Sequence, residues 1–360
     1  MKVLFLSRKF PPRVGGMEQH SFHLLHALGA GGVDVRPLVL RRSQIHLVWW
    51  LPWALLRGLM LARRVDLIYV ADGLLAPLAW VLRFVWRKPA IATVHGLDVT
   101  YRNFLYQLVN VSALRRLDAV IAVSDATREE LIRRGFRQQS IFVVANGVDV
   151  SRFANSLSDK QSVADIIFTS TGKRVSPHGK RILFSAGRLI RRKGFTWFLA
   201  EVFSALPPEY IYCIAGSGSE RQHLEALIEE HGWQDRVFLL GRVSDAQIGT
   251  LFFAADVFIM PNIAVTGDAE GFGIVALEAA ACGLPVLAAN IDGLPAAIHD
   301  GKNGWLVPSG AARAWQEAVV KYSERGAHPV RAEIAAYTKK VFSWEQRAKQ
   351  YEDIFKKITR

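Results

Sequence analysis

VFIMPNIAVTGDAEGFGIVALEAAACGLPVLAA, residues 257–289, carries the pattern from which the architecture is read. A short apolar run, Val257 to Met260, leads into a polar loop, a helical segment ending at Cys282-Gly283, and a second apolar run, Pro285 to Ala289. Strand, helix and strand with continuous rather than alternating hydrophobicity form the repeating unit of a parallel sheet buried on both faces. Inside this unit Glu270 and Glu278 stand eight residues apart in EGFGIVALE. Gly271 and Gly273 let backbone N–H groups approach a ligand, and a helix N-terminus favours an anion there. Glu278 lies within the apolar run Ala276 to Ala281, where an unpaired carboxylate is costly. A salt bridge would account for one such acid; two of them around a glycine turn point to a bound ligand.

The same alternation extends in both directions. Apolar runs at Val3–Ser7, Val35–Leu40, Leu67–Val70, Ala90–His95, Ala119–Ser124 and Ile141–Ala145 read as one set of strands. Ile182–Ala186, Tyr210–Ala215, Val237–Leu240, Val257–Met260, Pro285–Ala289 and Trp305–Val307 read as a second. Helical patterns separate them, among them Met17–Ala30 and Ala126–Arg134, the latter opening at the N-cap pair Ser124-Asp125. The expected fold is α/β, with two Rossmann-like, doubly wound parallel-sheet domains facing a cleft. The polar stretch 151–180 reads as the link. The expected boundaries are 1–165 for a first domain and 166–330 for a second. A C-terminal helical segment, 331–360, is expected to cross back to the first.

With 360 residues, 51% of them hydrophobic, the chain has ample material for two cores. Its two cysteines form no disulfide framework and fit a reducing, cytoplasmic setting. No zinc-ligand spacing and no Asp-x-Asp carboxylate pair is present, so no metal is expected. Met1-Lys2 leads directly into a strand, which speaks against a signal peptide. Charge is uneven: residues 1–150 hold 20 Lys and Arg against 10 Asp and Glu, whereas 151–360 hold 25 against 22. The basic half also carries Trp49, Trp50, Trp53, Trp80 and Trp86, half of all tryptophans. Basic residues with interfacial tryptophans lean toward an anionic membrane surface. No helix-turn-helix or aromatic single-strand platform supports nucleic acid as the partner.

Ligands of doubly wound sheets bind beyond the carboxyl ends of the strands, and further candidates fall there. Gly15-Gly16, in the loop Pro11–Glu18 after the first strand, would bring backbone N–H groups to a substrate. This loop lacks the G-x-G-x-x-G spacing of dinucleotide sites. His95, in His95-Gly96-Leu97-Asp98, would donate to a sugar hydroxyl or a leaving phosphate; a structural hydrogen bond is the alternative. Arg188 and Lys193, in GRLIRRKG from Gly187 to Gly194, offer a planar fork and a point charge for a diphosphate. Two cations held there stabilise a leaving diphosphate more in the transition state than in the ground state. Arg191 and Arg192 read as solvated surface charge. Gly216, in Ala215-Gly216-Ser217-Gly218, would admit a base or a phosphate. Glu270 would face a sugar, and Glu278 would take both hydroxyls of a ribose diol.

Together these residues resemble the retaining glycosyltransferases of family 4, with their twin-Rossmann GT-B architecture, over nearly the whole chain. The resemblance rests on the E-x7-E pattern at Glu270 and Glu278, on Gly187 to Gly194, on Gly15-Gly16 and on His95-Gly96. Asn146-Gly147-Val148-Asp149 followed by Phe153, and Gly283 to Val286, add to it. It implies that Arg188 and Lys193 bind the donor diphosphate and that Glu278 holds the ribose. It further implies that the amides of Phe272, Gly273 and Ile274 contact phosphate or sugar, and that Glu270, His95 and the Gly16 amide complete the reaction centre. Transfer with retention, without metal or other cofactor, from a UDP- or GDP-sugar to a glycan or lipid-linked acceptor is what the resemblance implies. The base, the sugar and the acceptor stay open at this point.

Lipid-linked acceptors would place the enzyme at the inner membrane face. Leu47–Ala62 and Leu74–Trp86 are read as helices buried against their sheet rather than inserted, with peripheral contact by the basic domain; Tyr101–Tyr106 adds an aromatic-basic stretch. A sugar-nucleotide epimerase or glycan phosphorylase of the same architecture, and a non-enzymatic membrane-surface binding protein, are the competing readings.

Overall fold

The structure, a computed structural model, describes residues 1–12, 15–101, 103–154, 156, 159–323 and 331–360. Arg13 and Val14 of the first-strand loop, and Arg102 of the aromatic-basic stretch, lie outside the described residues. The chain divides into two compact units. The first comprises Met1–Gly147, Gly267–Phe272 and Phe342–Arg360; the second comprises Val148–Thr266 and Gly273–Val341.

The first unit is built on β1 (Lys2–Ser7), β2 (Asp34–Val39), β3 (Leu67–Val70), β4 (Ala90–Val94), β5 (Ala119–Ala122) and β6 (Ile141–Val143). They lie in the order β2-β1-β3-β4-β5-β6, and every pair is parallel. Alternate residues of a strand serve opposite faces. Leu4 and Leu6 of β1, with Ile68 and Val70 of β3, pack under α2 (Leu47–Ala62) and α3 (Ala76–Trp86). Val3 and Phe5, with Leu67 and Tyr69, pack under α1 (Gly16–Ala30) on the other face. The helix α4 (Asp125–Arg133) starts where the Ser124 hydroxyl accepts a hydrogen bond from the Thr127 N–H.

The second unit holds β7 (Arg181–Ala186), β8 (Tyr210–Ala215), β9 (Val237–Gly241), β10 (Val257–Met260), β11 (Val286–Ala289) and β12 (Trp305–Val307). Their order is β12-β11-β10-β7-β8-β9, again wholly parallel. Its longer helices are α5 (Lys160–Thr171), α6 (Phe195–Glu201), α7 (Arg221–Glu230), α8 (Asp245–Ala254), α9 (Ile274–Ala281), α10 (Ala312–Ser323) and α11 (Arg331–Val341). The last helix, α12 (Trp344–Thr359), packs on α1 of the first unit. All twelve expected strands are present, within one or two residues at their ends, and the α/β, two-sheet architecture is as expected.

Three expectations about organisation change. The stretch 151–180 is not an irregular link, because it contains α5. The Asp159 carboxylate accepts the Ser162 N–H at the start of that helix, Gly172 ends it with a left-handed φ of 74°, and Val163, Ala164, Ile166 and Ile167 are buried. The second unit therefore begins at Val148 rather than at 166, since α5 packs on β9 and α8. The third concerns the tail: α11 stays with the second unit, against α9, and the part grouped with the first unit begins at Phe342 rather than 331.

Candidate active site

In each sheet the strand order reverses at one place, and the carboxyl ends flanking that reversal form the natural ligand crevice of an open α/β sheet. In the second unit the reversal falls between β7 and β10. The turn Arg191–Lys193, a single 3-10 turn, follows β7 and sits beside the end of β10. The Ile263 N–H donates to the Arg192 carbonyl at 3.0 Å. Gly194 next to it holds φ at 69°, and a Cβ there would collide with the Pro261 carbonyl. The aliphatic part of Lys193 runs over Gly187 at the end of β7, and Lys193 as a whole is only 8% exposed. Arg188 stands exposed at the same strand end. Arg192 is buried, against the expectation of solvated charge, in a turn tied by its backbone to the chain just beyond β10.

Gly216 ends β8 with φ at 143°, where a Cβ would collide with the Gly187 carbonyl; one on Gly218 would strike the Leu189 carbonyl. The Leu189 N–H donates to the Ser217 carbonyl at 3.0 Å. The glycines after β8 thus let two strand-end loops close on each other, a backbone reason for Gly216 that the sequence alone did not provide.

Gly273 opens α9 in the left-handed region, with φ at 84°, where a Cβ would collide with Leu294. The first amides of α9, from Ile274 onward, lack an intrahelical acceptor by the geometry of any helix start. One turn further on, Glu278 is buried and is held by Arg152, whose Nη2 donates to Oε1 at 2.7 Å. The other terminal nitrogen of Arg152 reaches Asp245 at 3.1 Å, and its guanidinium lies 4.5 Å over the Phe153 ring. Burial pushes the Glu278 carboxyl up to about 7; Arg152 opposes that shift and Asp245 reinforces it. Glu278 and Asp245 compete for one cation, so Glu278 keeps acceptor capacity beyond its ion pair.

In the first unit the reversal falls between β1 and β3, and their ends bring Arg8 to Asp72 at 2.9 Å. Asp72 is fully buried, its Oδ2 has no hydrogen-bond partner, and burial raises its pKa while Arg8 lowers it. His95 follows β4. Its Nε2 lies 3.0 Å from the Ala71 carbonyl, so that nitrogen carries the proton, and its backbone N–H donates to Asp98 at 2.8 Å. The ring meets His20 of α1 edge to face at 4.9 Å. Burial and the adjacent His95 lower the pKa of His20, whose Nδ1 donates to the side-chain Oδ1 of Asn146 at 2.8 Å. Gly15, extended, precedes α1, and a Cβ there would collide with the carboxylate of Glu18. Gly16 is the first residue of α1. Glu18 is buried in the first turn and lies 3.3 Å from the Lys9 ammonium.

The segment Gly267–Phe272, with Glu270 half-buried and Phe272 buried, groups with this first unit. A Cβ on Gly271 would collide with the His95 carbonyl, and one on Gly96 would lie 3.3 Å from the Gly271 Cα. His95 and the loop of Glu270 are thereby brought together, as are Arg188, Lys193 and Gly216 at the ends of β7 and β8. Three residues of this geometry, Arg8, Asp72 and Arg152, were not singled out from the sequence. Arg8 and Asp72 had a signal, since both lie within two residues of a strand end at a reversal point. Arg152 lies 126 residues from Glu278, with no local sign of pairing, although it sits within the Asn146–Phe153 motif.

Among the described residues, no group of three or more His, Cys, Asp or Glu is placed to hold a metal ion. No helix of the described residues is long and apolar enough to cross a membrane.

Comparison with known proteins follows the same division. The profile of Glycosyltransferase Family 4 matches residues 14–152, and that of Glycosyl transferases group 1 matches residues 168–341. A D-inositol 3-phosphate glycosyltransferase of Corynebacterium urealyticum is 29% identical over 81% of this chain and 72% of its own length. The amylovoran biosynthesis glycosyltransferase AmsK of Erwinia amylovora is 25% identical over 76% of this chain, which spans 65% of that relative. Among solved structures, HepE of Anabaena in complex with UDP superposes with a TM-score of 0.75 at 21% identity, covering 99% of this chain and all of that one. With one glycosyltransferase profile on each region and this fold throughout, the chain is a glycosyltransferase of GT-B architecture.

Proposed function

We propose that the protein transfers a hexosyl group from a nucleoside-diphosphate sugar to a glycan or lipid-linked acceptor, with retention of anomeric configuration and without a metal. The observation that carries the reading is the buried Lys193 beside Gly187, with Arg188 at the same strand end, at the reversal point of the second sheet. Cations held at a strand end of this kind stabilise the charge that develops on a departing diphosphate. Arg188 adds a planar fork for its oxygens. The first amides of α9 serve as further donors to phosphate or sugar, and Glu278 accepts the two ribose hydroxyls. Glu270 and His95 belong to the first unit and act on the transferred sugar. No separate general base is assigned, because the leaving phosphate oxygen can take the acceptor proton. The UDP in the HepE complex favours UDP-sugars as the donors to try first, with GDP-sugars beside them.

Thermal shift against a panel of sugar nucleotides identifies the donor, since a ligand selective for the folded state stabilises it by RT ln(1 + [L]/Kd). With that donor, Lys193→Ala and Glu270→Ala should each lower kcat by roughly 10²–10³-fold, the scale of a lost transition-state donor, with melting behaviour retained. Activity should survive excess EDTA, and NMR should show the anomeric configuration of the donor preserved. Wild-type turnover in either variant, an inverted product, or an epimerised sugar formed without nucleotide release overturns the assignment.

A further inference from the structure

The first unit carries an apolar surface that its fold does not use. Of the 19 large hydrophobic side chains exposed among the described residues, 15 lie between Ile45 and Val109. On α2, Trp50, Ala54, Gly58 and Ala62 face the core. Val48, Trp49, Trp53, Leu56 and Met60, at helical spacing on the opposite side, face solvent, with Trp49 80% exposed. The neighbouring α3 packs on α2, where Gly58 meets Leu82, and turns Phe84, Val85 and Trp86 outward. Residues 107–111 pack on α3 in turn, and the adjoining Phe104, Leu105, Leu108 and Val109 are exposed, Phe104 by 79%. The three strips adjoin, so one face presents them together.

Charge decides what covers this face. Residues 41–117 contain 11 Lys and Arg against three Asp. Asp72 and Asp98 are buried, and Asp66 accepts the Lys2 N–H at 2.8 Å. Arg57 stands exposed between Leu56 and Met60, Arg63 and Arg64 end α2, Arg87 ends α3, and the Arg116 guanidinium lies 5.5 Å over the Trp80 ring. A second copy seated here would set arginines against arginines. Tryptophan and phenylalanine rings interleaved with arginines match the boundary of acyl chains and phosphate headgroups.

We propose that this face of the first unit docks on an anionic lipid bilayer, with the rings of α2, α3 and residues 104–109 at the acyl boundary and the arginines on lipid phosphates. The inference goes beyond glycosyl transfer and stands whatever the donor proves to be. The test is sedimentation of the full chain with vesicles of phosphatidylcholine, alone or with about 30% phosphatidylglycerol, at about 0.1 M salt and again at about 0.5 M. Binding should require the anionic lipid and weaken at least about tenfold at the higher salt. Trp49→Ser/Phe84→Ser/Phe104→Ser, and separately Arg57→Ser/Arg63→Ser/Arg64→Ser, should each weaken it by about tenfold or more, with circular dichroism and melting unchanged. The arginine variant keeps the test open should the aromatic one misfold. Absence of binding, equal binding to neutral vesicles, retained binding in folded variants, or a dimer that the aromatic variant dissolves overturns the proposal.

Discussion

Arg152 shares one guanidinium between two carboxylates, Glu278 at 2.7 Å and Asp245 at 3.1 Å, and so offsets only part of what burial does to Glu278. Burial is the largest influence and raises the pKa of Glu278 to about 7. Between the ordinary glutamate value of about 4.3 and that value, the folded protein holds a proton that the unfolded chain releases. Stability contributed by this group is therefore present at low pH and falls as pH rises through that window. In the role proposed for Glu278 the ionised form accepts the ribose diol, so kcat/KM for the donor should rise with pH up to about 7. Removing Arg152 takes away the influence that lowers the pKa, and in Arg152→Met the rising limb should move to higher pH, with Arg152→Lys restoring part of the shift. Glu278→Gln should flatten this limb and raise the donor KM by roughly 10–100-fold, the worth of a hydrogen bond to a charged acceptor. A pH profile of kcat/KM in the three variants checks both statements, and an unmoved limb in Arg152→Met contradicts them. At this scale the sequence shows Glu278 as a charge inside an apolar helix but not its partner Arg152, since pairing across 126 residues leaves no local trace.

The elements that were read correctly are those whose hydrophobic period is unambiguous. Strands of a parallel sheet are buried on both faces and show as continuous apolar runs, as at β8 and β11. The helix α5 was missed because its last turn, with Thr169, Ser170 and Thr171, is rich in residues of low helix propensity. Its ends were marked nonetheless, by Asp159 as N-cap and by Gly172 as left-handed terminator. Glycine turns separate by what lies beside them. A Cβ on Gly172 would meet nothing within 4 Å, so Gly172→Ala should cost only the left-handed strain, about 1–2 kcal/mol. Gly194 has a comparable φ of 69°, but a Cβ there runs into the Pro261 backbone. Gly194→Ala should therefore cost distinctly more than Gly172→Ala and, by displacing Lys193, lower kcat as well. Urea unfolding of both variants, with donor kinetics, distinguishes the two turns; equal losses would remove the argument that the Gly194 approach positions the cation.

Over the whole molecule the chain leaves the first unit after Gly147 and, apart from the short return at Gly267–Phe272, rejoins it at Phe342. Both ends of that excursion are packed together, because Trp344 covers Gly147 so closely that a Cβ there would enter the indole ring. Periodicity showed that a terminal helix existed, but its junction is set by which surface receives it, and amphipathic spacing in α11 and α12 looks alike from sequence. The receiving surface is the face of the first sheet that carries Val3, Phe5, Leu67 and Tyr69. Tyr351, fully buried, closes it: its hydroxyl is 3.1 Å from that of Thr93, which in turn is 2.6 Å from the Tyr69 hydroxyl, and its ring meets Tyr69 and Phe355 edge to face. The first 147 residues are thus an incomplete core without the last 19. Tyr351→Ala removes a buried aromatic ring and leaves two hydroxyls short of a partner, a loss of about 3–5 kcal/mol on the scale of large-to-small core substitutions. That loss should fall on the first unit, while the second sheet, which receives none of α12, keeps its own stability. Hydrogen exchange followed by peptide in Tyr351→Ala should show faster exchange in β1, β3 and β4, with β7, β8 and β10 near wild type. Equal acceleration in both sheets would mean that the two units unfold as one cooperative body, and the terminal helix would then stabilise the entire chain.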